Sequence, residues 1–118
     1  MYTKNLPLIS GTAAKTLPNL TMYDRISFED DGIDIFHTPG HSQDCISVYS
    51  RSDRILNVGD NIGDTMENII PEIETDLEIF NKTLADYCKL NASLVVSGHN
   101  ELTDSGVFKR IKSEIEIL

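Results

Sequence analysis

With 118 residues, 40% hydrophobic and 25% charged, the chain has room for one small globular domain (residues 1–118) with a modest core. Its 19 acidic against 10 basic residues give a net charge of −9, which argues against nucleic acid as a partner, because neutralising phosphates needs clustered Lys and Arg. No apolar run approaches the roughly 18 residues of a membrane span and Met1-Tyr2-Thr3-Lys4-Asn5 has no apolar signal region; with two cysteines and no Cys-x-x-Cys, the expected compartment is a reducing cytoplasm, with no membrane partner.

Residues 1–20 carry Pro7, Gly11 and Pro18 with little periodicity and read as a loose lead-in, with a short helical turn possible at Ala13-Ala14-Lys15. From Met22 to Phe36, apolar residues alternate on both sides of Asp31-Gly32, which predicts a hairpin with a tight turn. The outgoing strand stops at Thr38-Pro39-Gly40, since proline cannot donate to a ladder. His37, near the end of that strand, reads as strand packing.

Cys45 to Ser50 is a second strand unit with Ile46 and Val48 on one face, and Arg54 to Val58 a third, stopped by Gly59. Residues 61–71 are a long connection with room for one helical turn. Thr75-Asp76-Leu77-Glu78 has the spacing of a capping box, and Leu77, Phe80, Leu84 and Cys88 follow at helical intervals toward an end near Asn91. Leu94-Val95-Val96 is a short buried strand. Val107, Phe108, Ile111, Ile115 and Leu118 line one face of a final helix capped by Asp104 or Ser105.

That order predicts an α/β fold: a mostly antiparallel, mixed sheet with two main helices on one face. The other face has no cover, and its strand residues alternate too imperfectly to make it fully polar. A homodimer or a partner chain is expected to pack there.

Three short pieces carry the chemistry: Thr38-Pro39-Gly40-His41, Val58-Gly59-Asp60 and Ser97-Gly98-His99. Each places a metal-capable side chain directly after a glycine at a strand end. Imidazole nitrogens suit zinc or iron, and a carboxylate can bridge two cations. Taken singly, His41 reads equally as a surface-loop histidine, Asp60 as a turn or capping residue, and His99 as a cap. Cys45, four residues after His41, reads as a small buried residue or, more sharply, as a soft metal ligand. The joint occurrence of the three glycine-led pieces, in this order, favours a shared site.

These pieces resemble the second half of the metallo-β-lactamase superfamily. Residues 35–42 match its Thr-Pro-Gly-His-Ser/Thr segment, residues 55–60 its apolar strand ending in Gly-Asp, and residues 96–100 its later histidine, with one helix between. The resemblance covers about residues 20–104. It implies half of an αββα sandwich, with His41 on a first metal, Asp60 bridging two metals as the catalytic group, and His99 on the second. Zinc is the implied cofactor, with iron or manganese as alternatives. His37 matches a position there that is not a ligand. The family's His-x-His-x-Asp-His run is absent, and the chain's histidines are His37, His41 and His99 alone. A catalytic zinc normally has three protein ligands and an open position. Here each metal would have one histidine plus Asp60.

Two functions are therefore expected to compete. One is a truncated metal-dependent hydrolase of a small-molecule ester, thioester, lactone or amide, inactive unless complemented. The other is a non-catalytic, metal-free binding or structural module that dimerises.

Overall fold

In a computed structural model that describes residues 16–118, the chain forms a five-stranded sheet in the order β1-β2-β3-β4-β5. Strands Arg25–Phe28 (β1), Ile33–His37 (β2), Ile46–Ser50 (β3) and Ile55–Asn57 (β4) pair antiparallel in sequence. Strand Leu94–Val96 (β5) adds parallel to β4 after the helix Leu77–Leu90 (α1), and the helix Gly106–Ile117 (α2) closes the chain. The mixed sheet with two helices is the α/β arrangement the pattern predicts. The helical turn at Ala13-Ala14-Lys15 and most of the lead-in lie outside the described residues.

The pleat sorts the strands into two faces. Tyr49, Leu56 and Val95 occupy one register row and join Phe80, Leu84, Tyr87, Val107, Phe108 and Ile111 in one buried cluster. Both helices therefore cover the same face. The opposite face shows two five-residue rows, Ile26-Ile35-Val48-Asn57-Val96 and Phe28-Ile33-Ser50-Ile55-Leu94, and beside the first the shorter pair His37-Ile46. None of these residues belongs to the buried cluster or to the residues packed on it.

Several local expectations are corrected. The β1–β2 connection is a 3₁₀ turn, Glu29–Asp31, closed by Gly32 at φ 66°, instead of a two-residue turn. Residues 61–71 contain no helix. The capping box does not form. Asp76 is the N-cap of α1 with no side-chain bond, and the Thr75 hydroxyl donates to Gly40 O at 3.3 Å. The buried stripe of α1 is Phe80-Thr83-Leu84-Tyr87, so Leu77 and Cys88 are exposed. Helix α1 ends at Asn91, whose φ of 51° gives a left-handed cap. In α2, Asp104 accepts the Gly106 N–H at 2.8 Å, Ser105 makes no side-chain cap, and Leu118 is exposed past the helix end. His37 is exposed rather than packed, and its Nε2 donates to Gln43 O at 2.6 Å, bracing the loop after β2.

Candidate metal centre

β2, β4 and β5 run in the same direction, because two antiparallel pairings separate β2 from β4 and β5 is parallel to β4. Their C-terminal ends share one edge of the sheet. His41, Asp60 and His99 lie three or four residues beyond those ends. Topology alone thus carries three residues far apart in sequence to one rim.

The three loops are stitched to one another. Gly98 N–H donates to Gly59 O at 2.8 Å, and Val58 N–H to Val96 O at 2.9 Å. Gly59 takes φ 59°, which turns the chain so that Asp60 leaves the sheet plane. A Cβ at Gly98 would stand 2.6 Å from Asp60 Oδ1, so glycine there leaves that carboxylate where it is, whereas a larger residue would displace it. His99 Nε2 in turn lies 3.4 Å from the same oxygen.

His41 is held from both ends. Its backbone N–H donates to Asn61 Oδ1 at 2.9 Å, and its Nδ1 donates to Glu72 O at 2.8 Å. A carbonyl can only accept, so Nδ1 carries a proton, which in the neutral tautomer leaves the Nε2 lone pair for a metal. Metal-binding histidines are commonly oriented in this way. Gly40 permits the loop to lie against α1, since a Cβ there would collide with the Phe80 ring.

Asn61 is the residue that sequence reasoning missed. It is fully buried, and its Nδ2 donates to Thr38 O at 2.8 Å and Tyr87 Oη at 2.9 Å. Thr38, Ser47 and Tyr87 complete a hydroxyl chain with contacts of 2.6–2.7 Å. Burial pushes the Tyr87 phenol above its ordinary pKa, so it stays a neutral hydrogen-bonding group. An Asn after Gly-Asp carries no sequence signal for this, because its partners come from β2, the following loop and α1.

His41, Asp60 and His99 line one open cavity of about 470 Å³, together with Asp64, Glu72 and apolar Ile62 and Ile70. Its charged lining is all acidic, beside two imidazoles and the neutral polar Thr65 and Asn68, with no Lys or Arg, so it suits a cation and a small molecule. The donor chemistry fits zinc. The donor count does not close a site: among the described residues, no three His, Cys, Asp or Glu side chains are gathered as a metal-holding group. His99 and Asp60 are brought together, and His41 stands on the same cavity wall. Cys45 does not line the cavity. It is partly buried, with Sγ 3.1 Å from Ser42 Oγ.

No protein-family model matches the chain, and no curated protein matches it. Solved structures do. A metallo-β-lactamase family protein from Thermus thermophilus superposes with a TM-score of 0.71 at 19% identity, over 86% of this chain and 36% of that one. A metallo-β-lactamase from Pontibacter korlensis gives 0.69 at 18% identity, over 88% and 51%. One from Hirschia baltica gives 0.62 at 22% identity, over 85% and 47%. The chain therefore spans about a third to a half of the structures it matches. By this likeness the chain, a mixed sheet with two helices, has the fold of one part of a metallo-β-lactamase.

Proposed function

We propose that this chain forms one side of a metal-dependent hydrolase centre. His41, Asp60 and His99 supply its share of the ligands, and a separate segment or chain supplies the rest. The observation that carries this reading is the common cavity at the C-terminal ends of β2, β4 and β5, with His41 pre-oriented by Glu72 O. A bound zinc ion would supply Lewis acidity and a water acidified enough to attack an ester, thioester, lactone or amide. The chain's own contribution is positional. Asn61 and Glu72 set His41, and Gly98 makes room for the Asp60 carboxylate, whose two oxygens suit it to bridging. Ile62 and Ile70 offer an apolar wall to a small substrate. The two cysteines are free, in keeping with a reducing compartment.

The incomplete donor group favours a second reading, a module that binds without catalysing. Zinc titration of the purified chain by calorimetry, with circular dichroism as a folding control, separates them. The proposal expects weak zinc binding that is lost in Asp60→Ala and His99→Ala, and little or no hydrolase turnover by the chain alone. Zinc binding unchanged in both variants, or absent in the unsubstituted chain, overturns it. So does robust turnover by this polypeptide alone.

A further inference from the structure

We propose that Asn100 is a positioning residue of the candidate centre, whose side-chain amide closes a hydrogen-bonded ring around Asp60 and His99. The proposal rests on the reading of those two residues as metal ligands. Ahead of both, Gly98 N–H donates to Gly59 O at 2.8 Å. Behind both, Asn100 Nδ2 donates to Gly63 O at 2.8 Å. The ring runs from Gly59 through Asp60 to Gly63, crosses to Asn100, and returns through His99 to Gly98. It encloses the 3.4 Å gap between His99 Nε2 and Asp60 Oδ1. Two ligand atoms about 2.0–2.1 Å from a tetrahedral zinc stand about 3.4 Å apart, so the ring holds the pair at ligand spacing.

Of the two closing bonds, only that of Asn100 has a residue identity, since the other is backbone to backbone. The amide is itself oriented. Its Oδ1 accepts the Glu101 N–H at 2.7 Å, which turns Nδ2 toward Gly63, and its backbone N–H donates to Ser97 Oγ at 3.3 Å. The carbonyl it reaches has little freedom. Gly63 is buried, its N–H donates to Ile69 O at 2.7 Å, and a Cβ there would collide with Asn68 O, so the neck of the 61–71 loop is shut. The tip of that loop is held separately, by the Arg110 guanidinium on Met66 O. The His99 loop is shut at its own base, where Val95 and Thr103 exchange N–H···O bonds of 2.7 and 3.1 Å. Two loops that are each closed on themselves thus meet through the ring, and removing the amide frees one from the other without unravelling either. Asn61 ties the Asp60 loop to His41 from the position directly after Asp60. Asn100, directly after His99, ties the His99 loop to that of Asp60 in the same manner.

Amide hydrogen exchange on the zinc-free 118-residue chain, followed by zinc titration, tests this. In Asn100→Ala the Gly63 and Gly98 amides are expected to exchange about tenfold faster, beyond any change at Ile111, which is fully buried in α2 and reports global opening. Zinc affinity should fall about tenfold, the usual scale for a residue that orients a ligand from behind. Asn100→Asp keeps the acceptor for Glu101 and removes only the donor to Gly63. Its exchange should match that of the alanine variant, and it takes over the test where the alanine variant does not fold. Unchanged exchange at Gly63 and Gly98 in the folded variants overturns the inference. So does faster exchange with zinc affinity unchanged in Asn100→Ala, because the amide would then be a structural tie alone. An unsubstituted chain that binds no zinc sinks the ligand reading instead, and exchange then decides by itself whether Asn100 locks the two residues together.

Discussion

Asn61 connects the two ends of the candidate centre. One amide accepts the His41 N–H, donates to Thr38 O and donates to Tyr87 Oη, all in a fully buried position next to Asp60. A buried polar group that loses its partner costs about 1–3 kcal/mol, because the desolvation already incurred is no longer offset. Asn61→Ala strands groups on both sides of the loop and is expected to cost at least about 2 kcal/mol in urea unfolding. It also frees His41, so zinc binding should weaken beyond what the loss of stability explains when measured well below the unfolding midpoint. Retained stability together with unchanged zinc binding would show that neither role exists. The three ligand candidates were legible in the sequence because glycine precedes each at a strand end. Asn61 and Glu72 were not, because a backbone carbonyl carries no residue identity and a buried amide declares itself only through its neighbours.

Strands and helices were legible to the extent that a single periodicity controls them. β5 and the Val107-Phe108-Ile111-Ile115 stripe of α2 fall where their apolar spacing places them, and Asn91 ends α1 through a left-handed cap. The rotation of α1 was not legible. Counting only aliphatic, Phe and Cys residues selects Leu77 and Cys88, whereas the helix buries Thr83 and Tyr87, whose hydroxyls bond Pro39 O and Ser47. A polar anchor on the loop after β2 thus sets the helix phase by about one position. The capping box failed for a related reason: Gly40 O lies within reach of the Thr75 hydroxyl and competes with the helix end. Phe80→Ala is expected to cost about 3–5 kcal/mol, since the ring is fully buried against Gly40. Cys88→Ala, on the exposed side, should stay within about 0.5 kcal/mol. Equal costs in chemical denaturation would mean that the helix is rotated toward the phase that aliphatic spacing alone suggests.

At the scale of the whole molecule the helices bury one sheet face and the rim loops are tied by hydrogen bonds, so the far edge of the sheet depends on other means. There β1 and β2 lie furthest from the β4–β5 side, and electrostatics takes a larger share. Asp34 is buried in the row between Ser27 and Tyr49. The Ser27 hydroxyl donates to it at 2.7 Å and Arg51 at 2.5 Å, and these bonds hold its carboxyl below the usual carboxylate range, the serine bond foremost. Desolvation pulls the other way without prevailing. The sign of the linkage follows. A carboxylate whose pKa is depressed in the folded state binds fewer protons there than in the unfolded chain. It therefore contributes stability that is fully present above the unfolded value of about 3.9 and is lost as pH falls through the lower, folded value. Asp34→Asn should lower stability at neutral pH and flatten the acid limb of the stability profile, with variant and parent converging once the pH lies below the depressed folded value. With an isoelectric point of about 4.6, the chain becomes net positive over this range, so growing self-repulsion would also lower stability at low ionic strength and obscure the Asp34 contribution. Urea unfolding across pH in about 0.5 M salt, where the screening length is only a few Å, isolates the Asp34 contribution. Parallel profiles for parent and Asn variant would show that the Ser27–Asp34–Arg51 cluster holds no stability, leaving the β1 edge to depend on apolar contact alone.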